Sequence, residues 1–135
     1  MLINLSNHPS SNWGEKQKQA AIAQYNEIVD IPFPQIAPEA TIEDVLELAE
    51  EYAEKAKKML GYTDVYTFDT KTNAVHIMGE MTFTHNVVRF LQHNAIPCVA
   101  STTKRTVKEE ANGQKTSVFE FIQFRAYRSE WEIPY

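Results

Sequence analysis

The chain has a single cysteine among its 135 residues, so neither an intramolecular disulfide nor a thiolate zinc cluster is open to it. That residue, Cys98, stands in the apolar run Ile96-Pro97-Cys98-Val99-Ala100, which reads as a buried structural thiol rather than a nucleophile. Basic charge is also short. Thirteen Lys and Arg face eighteen Asp and Glu, for a net charge of -5 and a pI near 5.3. This balance excludes a broad grip on duplex DNA through a basic face. It leaves open a small anionic ligand held by a few local donors. No apolar run approaches the roughly 20 residues needed to cross a bilayer. The N-terminus carries no basic stretch, and its apolar run ends at Leu5, so no signal peptide is read and a cytoplasmic protein is expected. Neither GxGxxG nor GxxxxGK[ST] occurs, which removes the usual dinucleotide and P-loop readings. The four histidines lack a metal-ligand spacing, so neither a metal nor a cofactor is expected.

What is present suits one globular domain over residues 1–135. Hydrophobic residues make up 43%, and a chain of this size buries about two-thirds of its unfolded surface. Met1–Leu5 reads as a buried strand, and Ser6–Asn12 as a loop dense in turn formers. A helix is expected from Trp13 to about Gln24, capped by Ser11 or Asn12, with a second strand at Glu27–Pro32. Thr41–Leu60 keeps the 3.6-residue period throughout, with Thr41 as its cap and Gly61 as its stop. Val65–Phe68 fits a strand or an irregular connection. Ala74–Met78 is a clear buried strand, followed by a helix from Thr82 to His93 and a core strand at Pro97–Ala100. Arg105–Glu110, Asn112-Gly113 and Lys115–Tyr127 form a hairpin pattern. The aromatic tail, with Trp131, Ile133 and Tyr135, is expected to dock on the domain or on a second subunit. This order predicts an α/β fold: a Rossmann-like, mainly parallel sheet with helices on both faces and a C-terminal antiparallel hairpin.

In such sheets ligands bind beyond the strands' carboxyl ends, where strand order reverses. Three polar segments fall there: Asn7–Trp13, Gly79–His85 and Ser101–Arg105. Gly79 admits backbone close to a ligand, and free amides near Thr82, Phe83 and Thr84 suit an anion. The alternative is a plain strand-to-helix turn capped by Thr82. Glu80 is a candidate general base or ribose ligand, or a first-turn acid that complements the helix dipole. His8 and His85 fall in the same region as candidates to move protons, or as plain surface residues; His76, inside an apolar strand, reads as a core residue. Ser101, Thr102, Thr103, Lys104 and Arg105 offer hydroxyls and two cations suited to phosphodiester oxygens, or simply a polar junction.

Met78-Gly79-Glu80-Met81-Thr82-Phe83-Thr84, then Cys98–Arg105, and the opening Leu5-Ser6-Asn7-His8-Pro9-Ser10 together resemble the small standalone CRISPR-associated Rossmann-fold proteins. These are similar to sensor domains for cyclic oligoadenylates, and some are ring nucleases. The resemblance implies a homodimer that binds a two-fold cyclic oligonucleotide and cleaves it without a metal, by attack of a ribose 2′-hydroxyl on the adjacent phosphate. It implies phosphate binding at Gly79, Thr82, Thr84, Ser101 and Thr102, with charge stabilisation by Arg105 or Lys104. Asn7, His8, Ser10 and Ser11 would hold ribose or position the nucleophile, with His8 or Glu80 as acid or base. Many sensor relatives carry a Thr/Ser-Gly-Thr/Ser-Lys signature, from which Met78-Gly79-Glu80-Met81 departs. Two other readings stand beside this one: a non-catalytic module that senses or sequesters a nucleotide, and a glycosyl hydrolase or transferase that uses Glu80.

Overall fold

A computed structural model describes residues 1–129; Trp131, Ile133 and Tyr135 lie outside these. Five strands form one sheet: β1 (Leu2–Ser6), β2 (Ile28–Asp30), β3 (Ala74–Met78), β4 (Cys98–Glu109) and β5 (Lys115–Ala126). Their order is β2-β1-β3-β4-β5. The first four run parallel, and β5 returns antiparallel to β4. Helix α1 (Glu15–Tyr25) joins β1 to β2, α2 (Ile42–Met59) joins β2 to β3, and α3 (Met81–Gln92) joins β3 to β4. The expected α/β fold is therefore the observed one. No helix among the described residues is long and apolar enough to cross a membrane.

The pleat decides which helix covers which face, because alternate side chains point to opposite sides. Ile3 and Leu5 of β1, with Val75 and Ile77 of β3, pack under α2 and α3 through Val45, Ala49, Phe83, Val87 and Leu91. Leu2, Ala74 and Val99 face the other way, against Ala21 and Tyr25 of α1 and against Trp13. Helix α2 begins with a capping box. The Thr41 hydroxyl accepts from the Asp44 amide, and the Thr41 amide donates to the Asp44 carboxylate, which satisfies two orphan amides reciprocally.

Two expectations need correction. The first helix does not begin at Trp13, nor is it capped by Ser11 or Asn12. Ser10–Asn12 form a single 3₁₀ turn, and α1 starts only after Gly14, with no side-chain cap. Trp13 stays extended because its indole is worth more against the sheet. It is 7% exposed, packs edge-on against His76, and donates Nε1–H to the His8 carbonyl at 3.1 Å. Pro97–Ala100 and Arg105–Glu110 are not separate strands but parts of one twelve-residue β4. Only Cys98 and Val99 register with β3, while β5 accompanies β4 along its length. Of the two alternatives for Val65–Phe68 the irregular connection is the one seen: the carboxylate of Asp64 accepts from the amides of Tyr66 and Thr67 and holds a turn.

Gly79 also meets a steric constraint: the aromatic ring of Phe33 lies where a β-carbon would stand. That ring packs edge-to-face on Phe83, whose own side chain is fully buried. Gly79→Ala is thus expected to destabilise the fold by about 1–3 kcal/mol, the usual penalty for overpacking. In Phe33→Leu, where the ring is gone, the same substitution should cost clearly less. Urea unfolding of the four proteins checks this, and additive losses would refute the clash.

Candidate functional site

Between β1 and β3 the connections diverge, with α1 leaving over one face and α3 over the other. The carboxyl ends of these strands therefore open a crevice at a topological switch point. On the α1 face the strands place polar residues side by side. Asn4 registers with Asp30 of β2 on one side and with His76 of β3 on the other. Asn4 is 1% exposed and His76 is 2% exposed, so their polar atoms need protein partners.

Most of those partners are present. Asn4 Nδ2 donates to Asp30 Oδ1 at 2.8 Å and to the His8 carbonyl at 2.9 Å. Both are pure acceptors, which fixes the amide orientation. Asn4 Oδ1 then faces His76 Nδ1 at 2.8 Å. An amide oxygen can only accept, so Nδ1 carries the proton and Nε2 a bare lone pair. No protein group among the described residues satisfies Nε2. Burial pushes the His76 pKa down to about 4, with the charge of nearby His8 adding to the shift. His76 is consequently neutral at physiological pH.

Above this row lies a cleft of about 900 Å³. His76, Ser6 and Met78 contribute from the strands. Trp13 and Lys16 contribute from the β1–α1 segment, and Ser101, Lys108 and Phe119 from the hairpin. Phe119 is 66% exposed and presents a broad aromatic surface. Lys16 pairs with Glu120 at 3.0 Å. That hydrogen bond, with the charges of Lys16 and Lys104, holds the Glu120 carboxyl below its usual range. Hydroxyls, two lysines and an aromatic ring around a neutral polar floor suit a ligand that carries both apolar rings and donor hydroxyls.

The nominated residues distribute unevenly. His8 and Ser101 line this cleft. Asn7 and Ser11 are exposed and away from it. Ser10 is engaged by the Asp30 carboxylate through its amide and its hydroxyl. Gly79, Thr84 and His85 line a separate pocket with Tyr127. Thr102 donates its hydroxyl to the Gln123 carbonyl. Arg105 donates to the Ser117 hydroxyl, and Lys104 stands opposite Glu120 on the hairpin.

The amides at the start of α3 are not free for phosphate. Glu80 rather than Thr82 is the cap, and its carboxylate accepts from the Thr82 and Phe83 amides and from the Thr82 hydroxyl. The Phe83 amide, followed by the Thr82 hydroxyl, lowers the pKa of Glu80, the opposite of what a general acid needs. Glu80 stands one residue before the first turn, as the cap, where its charge complements the helix dipole. Asn4, Asp30 and His76 were missed as site residues. Their signal was available: Asn4 and His76 each interrupt an otherwise apolar strand, and parallel pairing sets them side by side.

A buried neutral histidine makes stability depend on pH in a defined direction. The unfolded chain takes up a proton near pH 6.5, whereas the folded chain resists until about pH 4. Stability is therefore full above 6.5 and falls as pH drops through this window, by on the order of 3 kcal/mol for this group. His76→Gln, which cannot titrate, is expected to flatten that part of the profile. Urea unfolding at about pH 7.5 and about pH 4.5 measures it. An unchanged slope in His76→Gln would show that His76 is not held neutral.

No curated protein and no solved structure matches the chain. A family model does match, that of the Uncharacterized protein MJ1673 family, over residues 1–125. The match takes in β1 through β4, all three helices and nearly all of β5, and the chain belongs to the MJ1673 family.

Proposed function

We propose that the cleft at the β1–β3 switch point binds a cyclic oligoadenylate, and that the protein is a ring nuclease which opens it without a metal. The observation that carries this reading is the cleft's position and lining: an aromatic ring, hydroxyls and lysines gathered where α/β sheets hold nucleotides. The sequence resemblance to small CRISPR-associated Rossmann-fold proteins supports the choice of ligand. Phe119 offers an exposed surface on which adenine stacks, and Lys108 offers charge to the phosphates.

A pocket of this volume matches a drug-sized ligand, so a ring of several nucleotides would be shared by two copies related by a two-fold axis. Val107 and Ile122 on the hairpin, 55% and 45% exposed, provide apolar surface for that contact. In the reaction the ribose O2′ bonds to phosphorus and the O5′ bond breaks. The hydroxyl proton is lost from O2′ and one is gained at O5′, which leaves a 2′,3′-cyclic phosphate and a 5′-hydroxyl. The chain's part is to hold O2′, phosphorus and O5′ in line and to stabilise the developing charge.

One observation favours a second reading, a sensor that binds the ring intact. Glu80 and Arg105, both nominated for catalysis, are hydrogen-bonded to Thr82, Phe83 and Ser117 outside the cleft. Incubation with cyclic tri-, tetra- and hexa-adenylate in EDTA, with products separated by mass, distinguishes the two. The nuclease reading expects linear products ending in a 2′,3′-cyclic phosphate; binding without product supports the sensor; no binding of any ring sinks both. Phe119→Ala should weaken binding by roughly 5- to 100-fold, the usual worth of one stacked base. Lys108→Ala should weaken it by a smaller factor that shrinks as salt rises.

A further inference from the structure

The fold spends three strands on one atom. Asp30, Asn4 and His76 stand in register across β2, β1 and β3. Hydrogen bonds of 2.8 Å link each to the next. Their combined effect is to fix one tautomer of His76. Trp13 and Phe124 pack edge-on against the imidazole, with ring centroids 5.2 Å and 5.6 Å away, and fix its plane. Nδ1 is turned toward β1, which leaves Nε2 at the distal end of the ring, away from Asn4. That atom is itself buried and has no protein partner among the described residues, and its residue lines the floor of the cleft. Neither of the bland explanations accounts for it. A core histidine kept only for packing would have both nitrogens paired or be replaced by an apolar ring. A merely surface histidine would not be 2% exposed.

We propose that His76 Nε2 is the hydrogen-bond acceptor of the cleft, taking the O–H of a ribose 2′-hydroxyl on the bound ligand. Asn4 and Asp30 are its positioning residues. This deepens the nucleotide reading of the same cleft and rests on it. A fixed acceptor with no donor of its own is selective by chemistry. It accepts from a hydroxyl, and it gains nothing from a ring that carries hydrogen at that position. An unsatisfied buried acceptor is worth roughly tenfold in affinity, so the site discriminates ribose from deoxyribose by about that factor. The same contact orients the oxygen that would become the nucleophile.

The test compares cyclic tetra-adenylate with its 2′-deoxy counterpart, both titrated into wild type and His76→Phe. Phenylalanine keeps an aromatic ring between Trp13 and Phe124 and removes both nitrogens. Wild type is expected to prefer the ribose ring by about tenfold, and His76→Phe to bind the two rings alike. A preference retained in His76→Phe overturns the proposal while leaving the nucleotide reading intact, as does equal binding of the two rings by wild type. Binding of neither ring overturns both. Loss of affinity for both rings by one factor, with the preference kept, marks a structural role and also overturns the proposal. Should His76→Phe fail to fold, ¹⁵N spectra of wild-type imidazoles give an independent answer. The ribose ring should shift the His76 Nε2 resonance and leave Nδ1 protonated, and an unmoved Nε2 refutes the contact.

Discussion

Everything on the α1 face depends on satisfying one buried carboxamide. Asn4 sits at the centre of the sheet, and its two ends are committed to different neighbours: the nitrogen to Asp30 and the His8 carbonyl, the oxygen to His76. Ser6 Oγ lies 2.8 Å from the same oxygen. Because an amide cannot exchange its donor for its acceptor without leaving all of these unmade, the side chain locks β1 to both adjacent strands. It also pins the β1–α1 segment, since the His8 carbonyl it holds is the one that accepts from Trp13. Asp30 adds a second tether by holding Ser10. The wall of the cleft is thus built outward from the middle of the sheet.

This arrangement separates charge from the floor. His76 is neutral, Asn4 and Ser6 are neutral, and the lysines stand on the β1–α1 segment and the hairpin above. A charged ligand group would meet Lys16 and Lys108, while a neutral donor would meet His76. The second polar cluster works differently. Glu80 closes the first turn of α3 with its own carboxylate, so the positive end of that helix is neutralised from within. Two strand ends that look alike in sequence, each followed by polar residues and a helix, therefore differ in what they leave available.

The period of the chain made the fold legible. Ala74–Met78 was readable to the residue, and α2 and α3 to within a residue or two at each end, because buried strands and amphipathic helices write their packing into spacing. Trp13 falls outside the expected helix because local helix signals cannot register an indole drawn down onto His76 of β3, far along the chain. The cap of α3 falls to Glu80 rather than Thr82 because only the observed turn brings a carboxylate over two amides. The site was legible in position but not in composition. Polar loops announce themselves by residue type, whereas Asn4 and His76 hide in apolar strands and gain meaning only from register. Arg105 and Lys104 illustrate the converse: cations beside a strand end, carried off along a hairpin whose course the sequence left open.

That hairpin has a consequence of its own. Among the described residues, β4 has no strand partner on its inner side past Val99, and β5 has none on its outer side. The result is a two-stranded ribbon with two open edges, each a row of amides and carbonyls able to template a third strand. Lys104, Arg105, Lys108, Glu109, Glu110, Lys115 and Glu120 lie along it, of both signs rather than forming one field. Mixed charge of this kind discourages indiscriminate stacking of identical ribbons, since many registers bring like charges together. The ribbon is accordingly an edge guarded by its own mixed charge.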